Sequence, residues 1–280
     1  MKFPLATGIA IFAYNRPSHL KRVLIALEDY KINNATIFVD GPKSKRDRIC
    51  QEEILFMIKT NKNIKFTIIQ SKKNKGLSRS LISGISYMSM KFKQVIVLED
   101  DCIPRAEFFP FVSKSLRKFK NDDKVLGVCG YQLPELHEKK NMKINAILLK
   151  NFISWGWAIW SNKWLNYIKD YKKYYKQSKK KSKISKLIEK KYINNKNYWT
   201  PNFIDYAFQT ASTFVFPNKS LIKNIGFDGT GVNSKTSFDF NTYYTRSKYL
   251  NINNRITVNK NLNSSDCFLK KIRFLLLNLW

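Results

Sequence analysis

Three consecutive acidic residues, Glu99, Asp100 and Asp101, directly follow an apolar run at residues 95–98. Carboxylates this close repel one another unless a cation or hydrogen bonds compensate their charge. An oxygen-only ligand set favours Mg²⁺ or Mn²⁺ over zinc, and these ions complete their shell with water and phosphate oxygens. A metal bridging two phosphates neutralises charge that grows on a departing nucleoside diphosphate. The simpler interpretation is an acidic helix cap or a solvated turn, and the position after a buried strand favours the metal site.

Polar residues also follow the other apolar runs of the N-terminal part. Arg16 can pair with phosphate through its planar guanidinium, and Lys75, just before Gly76, can add a second positive group. Asp40 can accept a hydrogen bond from the edge of a base or ribose. Two plainer interpretations stay open, because Asp40 also suits a turn and residues 74–77 also suit a loop that caps the next helix. That loop matches no P-loop pattern.

The elements that must position these residues form an α/β pattern. From residue 8 to about residue 128, short β-rich runs alternate with amphipathic helices, which is typical of a sheet built from βα units. Strands are predicted at residues 8–14, 35–39, 65–69 and 94–98, and helices from Pro17 and over residues 48–59, 78–90 and 108–119. In open α/β sheets, ligands bind outside the carboxyl ends of the strands. The polar residues lie at those ends.

Composition narrows the class of protein. The 280 residues, 44% of them hydrophobic, suit one domain or a core domain with an appended subdomain. The net charge of +31 predicts attraction to polyanions, and charge alone does not choose among nucleic acid, anionic lipid and nucleotide diphosphates. Four scattered cysteines without a CxxC pair predict reduced thiols rather than structural zinc. The N-terminus lacks a signal-peptide pattern and no apolar window is long enough to span a bilayer, so we expect an unexported protein.

Five motifs in sequence resemble bacterial GT-A glycosyltransferases that are family 2-like and related to the N-acetylglucosaminyltransferase I family. They are residues 10–17 (AIFAYNRP), 39–42 (VDGP), 74–77 (NKGL), 97–101 (VLEDD) and 154–158 (SWGWA). The resemblance covers roughly residues 8–235. It implies a GT-A, Rossmann-like nucleotide-diphospho-sugar transferase fold, with a mixed, mostly parallel sheet flanked by helices and a C-terminal acceptor subdomain.

The resemblance also implies roles for the strand-end residues. Asp101 is expected to be the direct metal ligand, Asp100 to face the ribose and Glu99 to lie near the donor sugar. Arg16 is expected near the diphosphate, and Asp40 is expected to accept from the base edge. Lys75 and Gly76 complete the predicted donor site.

In the second half of the chain, the resemblance implies a catalytic base. Asp205, within residues 203–208 (FIDYAF), matches the family's aromatic-flanked Asp, although Ile204 stands where the family usually has Trp. As a base, Asp205 would deprotonate an acceptor hydroxyl that attacks the anomeric carbon opposite the diphosphate, which inverts the product. Asp228 is the reserve candidate, in a glycine-rich segment (residues 224–231) that is expected to close over the donor.

The aromatic segment and the basic stretches predict further contacts. Trp155 and Trp157 are expected to divide between stacking on an acceptor sugar and packing in the core. The basic, apolar tail at residues 266–280 is expected to lie in a membrane interface or to form a last helix packed on the core. Together with residues 167–192, rich in Lys and Tyr, it would attract the protein to anionic lipid.

The predicted organisation is a nucleotide-sugar-binding half at residues 1–130, an acceptor-binding and catalytic half at residues 131–265, and the tail. The predicted activity is a hexosyl or N-acetylhexosaminyl transfer that depends on Mn²⁺ or Mg²⁺. A UDP-sugar is the favoured donor, and the acceptor is a glycan or a lipid-linked glycan of surface-polysaccharide or lipopolysaccharide synthesis. We expect a cytoplasmic location, at the inner face of the cytoplasmic membrane.

Two rival classes remain open at the level of sequence. A metal-dependent nucleotidyltransferase also uses carboxylates on an α/β sheet. A basic nucleic-acid-binding protein would use the Lys-rich stretches interleaved with aromatic residues. The second rival leaves the acids after the buried strand unexplained, since they would repel phosphate unless a metal intervened, and nucleic acid is therefore not an expected partner.

Overall fold

The computed structural model describes residues 7–132, 145–177, 199–230 and 258–259. Its main element is a nine-stranded sheet with the strand order β11-β7-β9-β6-β8-β4-β1-β2-β3. The strands are β1 (Thr7–Ala13), β2 (Asn34–Val39), β3 (Lys65–Gln70), β4 (Gln94–Glu99), β5 (Cys102–Pro104), β6 (Val125–Cys129), β7 (Ala146–Leu149), β8 (Trp157–Trp160), β9 (Thr213–Pro217), β10 (Ile222–Asn224) and β11 (Val258–Asn259). The helices are α1 (Pro17–Asp29), α2 (Lys45–Thr60), α3 (Leu77–Lys91), α4 (Phe108–Lys118), α5 (Ser161–Gln177) and α6 (Thr200–Gln209).

Strand direction divides the sheet into two parts. Strands β1 to β4 are mutually parallel, with β4 and β2 on either side of β1 and β3 beyond β2. Strand β8 is antiparallel to both of its neighbours, β4 and β6, and so joins the parallel part to the second half of the chain. The predicted fold class, a mixed and mostly parallel sheet flanked by helices, is confirmed. The predicted boundary at residue 130 falls directly after β6, within a sheet that both halves share.

Helices cover both faces of the sheet, which explains why its central strands are mostly apolar, whereas the edge strand β3 is partly exposed and carries Lys65, Thr67 and Gln70. Helices α1, α2 and α4 pack against one face through residues such as Leu20, Ile54 and Phe111. Helices α3, α5 and α6 pack against the other face, where the fully buried Trp164 and Phe203 lie. All seven residues of β1 are buried, as expected for a strand near the middle of such a sheet.

Helix α2 begins three residues before its predicted start at residue 48. The Ser44 hydroxyl accepts from the backbone N–H of Asp47, and the Asp47 carboxylate accepts in return from the backbone N–H of Ser44. This reciprocal capping satisfies N–H groups that the first helical turn leaves unpaired. The polar start of α2 is therefore stabilised by its cap rather than by an apolar face.

A separate two-stranded ribbon joins distant parts of the chain. Strand β5, just after the acidic residues, pairs antiparallel with β10, with Cys102 opposite Asn224. Within the described residues, no helix is long and apolar enough to cross a membrane. The tail and residues 178–192 of the Lys/Tyr-rich stretch lie outside the described residues.

Candidate active site

The polar residues predicted to act together do lie at one edge of the sheet. Because β1, β2, β3 and β4 are parallel, their carboxyl ends share that edge. Arg16 follows β1, Asp40 follows β2, Gly76 ends the loop after β3, and the acids follow β4. Neighbouring strands are roughly 4.8 Å apart, so Asp40 and the acids are about two strand spacings apart.

Arg16 pairs with two of the three consecutive acids. Its Nη2 donates to Oδ1 of Asp100 and to Oδ2 of Asp101, the latter at 2.8 Å. The backbone N–H of Tyr14 also faces Oδ2 of Asp100, at 3.4 Å. Burial opposes the charged form of Arg16, but the charges of Asp100 and Asp101 hold its pKa above the usual value. The structure thus brings the predicted diphosphate-binding arginine onto the predicted metal-binding acids.

The three acids together exceed what one arginine can neutralise. Burial, and then the charges of Asp101 and Asp100, raise the pKa of Glu99 to about 8. Burial likewise raises the pKa of Asp100 to about 6, although Arg16 counteracts part of this shift. More carboxyl groups therefore meet here than Arg16 compensates, which disfavours their charged forms, and a cation would offset that cost.

A divalent cation fits these residues. The donor atoms at the end of β4 are carboxylate oxygens, which suits Mg²⁺ or Mn²⁺. Within the described part of the chain, no three His, Cys, Asp or Glu side chains are grouped as a ready metal site. A cation here would therefore depend on one or two carboxylates and on oxygens that a ligand supplies.

Asp101 is enclosed by the chain segment that follows β10. The backbone N–H of Ile225 donates to the carbonyl oxygen of Asp101 at 2.9 Å. A Cβ atom added to Gly226 would lie 2.2 Å from Oδ2 of Asp101, so a larger residue here would displace either this segment or the Asp101 carboxylate. The Cys102 thiol donates to Oδ1 of Asp101 at 3.3 Å. The glycine-rich segment predicted to close over the donor thus lies directly against the predicted metal ligand.

Asp40 organises the loop after β3. Its Oδ1 accepts from the backbone N–H groups of Gly41 and Lys75, both at 2.9 Å, and its Oδ2 accepts from Gly76 at 2.8 Å. Asn74 Nδ2 donates to the carbonyl oxygen of Gly41 at 2.8 Å. Gly76 has a φ of 78° and precedes α3 as its N-cap, a conformation that favours glycine. Backbone donors therefore occupy the carboxylate that was predicted to read a base edge, while the Lys75 side chain is exposed.

Asp47 is a further organising residue that the sequence analysis did not single out. Besides capping α2, its carboxylate accepts from Tyr14 Oη at 2.9 Å and from Asn15 Nδ2 at 2.6 Å. Burial alone would raise the pKa of Asp47, but hydrogen bonds, above all from Asn15 and Tyr14, lower it to about 2. Asp47 thereby fixes the segment that leads from β1 to Arg16. The Ser-x-x-acid spacing of a capping box was the signal available in the sequence.

The two candidate bases differ in their surroundings. Asp228 Oδ1 accepts from the backbone N–H and the hydroxyl of Thr230, and its Oδ2 lies 3.1 Å from Nε2 of His19 on α1. Burial would raise the pKa of Asp228, but the hydrogen bonds from Thr230 and the charge of His19 lower it. Asp205 lies within α6, on the opposite face of the sheet from α1, and its Oδ2 accepts from Gln209 Nε2 at 2.7 Å.

The two tryptophans of the aromatic segment lie in different places. Trp157 pairs in register with Val97 of β4 and is fully buried, with its ring stacked on Trp199 at a centroid distance of 5.5 Å. Trp155 lies two residues before the start of β8, with its ring centroid 5.3 Å from that of Phe227. Phe227 follows Gly226, the residue against Asp101, and is partly exposed. Core packing therefore accounts for Trp157, whereas Trp155, also buried, packs on Phe227, two residues along the chain from Ile225, whose N–H bonds to Asp101.

This fold, with carboxylates and a helix-capping loop at the carboxyl ends of parallel strands, defines a GT-A-type α/β domain. The chain belongs to glycosyl transferase family 2, whose family model matches residues 8–208. The match begins in β1 and ends in α6, so it includes the acids after β4 and Asp205. The bacterial origin and the closer relation to the N-acetylglucosaminyltransferase I family stay predictions.

Two solved structures are similar to this chain at low identity. The mannosyltransferase PcManGT from Pyrobaculum calidifontis, in complex with GDP-Man and Mn²⁺, has 11% identity and a TM-score of 0.38, over 55% of this chain and 44% of its own. The galactosyltransferase LgtC, in complex with donor and acceptor sugar analogues, has 12% identity and a TM-score of 0.39, over 74% of this chain and 72% of its own. The match thus spans less than half of the mannosyltransferase. No curated protein sequence matches the chain.

Proposed function

We propose that the protein is a metal-dependent glycosyltransferase that transfers a sugar from a nucleoside-diphosphate sugar to an acceptor hydroxyl. The observation that carries the proposal is the group formed by the buried Asp100 and the half-buried Glu99 and Asp101 at the end of β4, with Arg16 as its one ion-paired partner among the described residues. Membership of glycosyl transferase family 2 supports the same reaction.

On the donor side, Asp101 would hold Mn²⁺ or Mg²⁺, with Asp100 and Glu99 beside it. When bound, the cation would offset the negative charge of the diphosphate leaving group. Both ion pairs of Arg16 use Nη2, so the other N–H groups of its guanidinium can contact the diphosphate. Lys75, held at the loop by its backbone bonds to Asp40, can add a second positive charge.

On the acceptor side, we assign the base to Asp205. It would take the proton of the acceptor hydroxyl while the acceptor oxygen bonds to the anomeric carbon and the bond to the diphosphate breaks, with the electron pair leaving on the diphosphate. Attack from the opposite face inverts the configuration. Asp228 is the weaker base, because its hydrogen bonds to Thr230 and its contact with His19 stabilise the charged carboxylate.

Phe227 is half-buried, follows the Gly226 that lies against Asp101, and packs its ring on the buried Trp155. A sugar face can stack on such a partly exposed ring. The resemblance supports extending the proposal to a UDP-sugar, to hexosyl or N-acetylhexosaminyl transfer, and to a glycan or lipid-linked acceptor of surface-polysaccharide or lipopolysaccharide synthesis. The basic, apolar sequence of residues 266–280 and the Lys/Tyr-rich residues 167–192 support extending the proposal to a location at the inner face of the cytoplasmic membrane.

The decisive experiment incubates the pure protein with a panel of nucleotide-sugars, with Mn²⁺, Mg²⁺ or EDTA, and measures released nucleoside diphosphate. We expect release from one nucleotide-sugar class with metal and none with EDTA. Release of pyrophosphate from a nucleoside triphosphate instead would identify a nucleotidyltransferase and refute the proposal.

A pair of variants tests the choice of base. Asp205→Asn should keep donor binding but reduce transfer by about a thousandfold, in the range that general-base catalysis contributes. Asp228→Asn should reduce transfer by roughly tenfold or less, because it loosens a loop without removing the base. If the two effects were reversed, the base would be Asp228.

A further inference from the structure

Two loops at the carboxyl ends of β2 and β3 carry a group of exposed basic side chains. The first loop runs into α2, and the second runs into α3. We call this group the basic edge, and its members are Lys43, Lys45, Arg46, Arg48, Lys72, Lys73, Lys75 and Arg79, all exposed.

Backbone contacts hold the two loops of the basic edge together. Asp40 accepts from the N–H groups of Lys75 and Gly76, and Asn74 donates to the carbonyl oxygen of Gly41. A Cβ atom at Gly41 would lie 2.3 Å from the carbonyl carbon of Lys73, so the loops touch directly. The basic side chains therefore form one surface rather than two separate groups.

Almost no negative charge lies within the basic edge. Residues 71–93 contain no acidic residue, and Asp47, the one acid of residues 41–48, is buried and occupied by hydrogen bonds. None of the eight basic side chains forms an ion pair with another described residue. The opposite edge of the sheet mixes signs, since Glu28, Asp29 and residues 122–123 accompany its lysines. The asymmetry indicates an anionic partner for the basic edge.

Large apolar side chains are exposed beside the basic edge. Leu77, at the start of α3, is 39% exposed, and Ile49, in the first turns of α2, is 66% exposed. Phe56, 70% exposed, lies seven residues after Ile49, but the exposed Glu52 and Glu53 lie between them on the same side of α2, so Phe56 is outside the basic edge. Basic groups interleaved with exposed apolar side chains are the composition that binds the interface of an anionic bilayer.

We propose that the basic edge docks on an anionic phospholipid bilayer, with Leu77 and Ile49 entering the interface. A bilayer fits better than nucleic acid, because lipid also buries the apolar side chains. A phosphodiester backbone would contact only the basic groups. Docking in this orientation places the acids after β4 at the bilayer surface, about two strand spacings from Asp40. If the proposed transferase activity holds, the acceptor on this surface is lipid-linked.

The test measures co-sedimentation of the full chain with vesicles of phosphatidylcholine alone or with 30% phosphatidylglycerol. The test variant carries Lys45→Gln, Arg46→Gln, Lys72→Gln and Lys73→Gln, which leaves Lys75 and the loop backbone unchanged. A matched control removes four exposed lysines at the opposite edge, by Lys62→Gln, Lys93→Gln, Lys120→Gln and Lys124→Gln. Both variants have the same net charge. A difference in their vesicle binding therefore shows which edge of the sheet contacts the bilayer.

The wild type should bind the anionic vesicles and not the neutral ones. The test variant should lose binding by several hundredfold, since each basic group near an anionic surface contributes a factor of about five. The control should lose tenfold or less, and Ile49→Ser should lose about tenfold through its apolar surface. Thermal unfolding of each variant confirms that it is folded.

Equal losses in the two four-residue variants would refute the proposal, as would a wild type that ignores anionic vesicles. Preferential binding of a single-stranded oligonucleotide, lost in the test variant, would assign the surface to nucleic acid instead. Release of nucleoside diphosphate with a soluble acceptor should be equal in the wild type and the test variant. A failure of the docking proposal is thus distinct from a failure of the proposed activity.

Discussion

Asp40 and the acids after β4 occupy equivalent places at the ends of parallel strands, yet their surroundings are opposite. Asp40 receives three backbone N–H groups within 2.9 Å, so its charge is compensated by the fold itself. Of the three acids, Asp100 and Asp101 share the single guanidinium of Arg16, and Glu99 has no ion-paired partner among the described residues. A carboxylate that the backbone satisfies positions a loop, whereas carboxylates left in excess can bind a cation. At this edge of the sheet, cation binding is therefore expected at the carboxylates whose negative charge the protein does not fully compensate.

Among variants of these carboxylates, the largest loss of activity is expected at Asp101. Asp101→Ala should reduce metal-dependent release of nucleoside diphosphate by at least a thousandfold, because it removes the proposed metal ligand. The fold should survive, since Arg16 keeps Asp100 as a partner. Initial rates over a range of Mn²⁺ concentrations, together with thermal unfolding, measure both effects. The exposed Asp123→Ala is the control, and wild-type activity in Asp101→Ala would refute the metal assignment.

At Asp40 the expected effect is on stability rather than on metal binding. Asp40→Ala leaves several N–H groups of the loop after β3 unpaired and should lower the free energy of unfolding by about 3 kcal/mol. Denaturant titration measures this, and the Mn²⁺ concentration at half-maximal activity should stay near the wild-type value. A large shift in that concentration would show that Asp40 belongs with the acids after all.

Gly226→Ala changes the segment that lies against Asp101 and does not remove the carboxylate itself. The added methyl would lie 2.2 Å from Oδ2 of Asp101, so either the segment after β10 or the Asp101 carboxylate must move. We expect about a tenfold to hundredfold loss of activity, with a loss of stability of about 1–3 kcal/mol. Gly229→Ala is a useful contrast, because nothing lies within 4 Å of its added Cβ, although its positive φ carries a strain cost. Equal activity losses in the two variants would argue against contact with Asp101 as the cause.

The smallest effect is expected at Asp47, a second carboxylate whose charge is compensated by hydrogen bonds. Its pKa of about 2 lies below the value of roughly 3.9 expected in the unfolded chain. Its stabilisation is therefore fully present above about pH 4 and is lost as the pH falls towards 2. Asp47→Asn should lower the free energy of unfolding at pH 7 by about 1 kcal/mol, as for a lost helix cap. The difference from wild type should shrink between pH 4 and pH 2, and a constant difference would contradict this assignment.

The parallel part of the fold was predictable because each of its strands is recognisable from a short stretch of consecutive residues. Apolar runs of strand length, each followed by polar residues, located β1 to β4 and the edge that carries Arg16, Asp40 and the acids. The capping box formed by Ser44 and Asp47 is also a pattern of nearby residues, and it predicts that α2 starts at Lys45.

Contacts between distant segments were not predictable from one sequence. The antiparallel insertion of β8 between β4 and β6, and the ribbon of β5 with β10, pair residues far apart in the chain. The same holds for the contact of His19 with Asp228. The occupation of Asp40 by backbone donors also escapes a reading of residue types, because it depends on how closely Gly41 approaches Lys73.

The hydrogen bond from the Ile225 amide to the Asp101 carbonyl has a practical consequence. An amide proton exchanges with solvent only when its hydrogen bond opens, so this proton is a natural probe of the acidic site. Its exchange rate would register the arrival of a cation or donor at Asp101 without any label, and before any sugar is transferred.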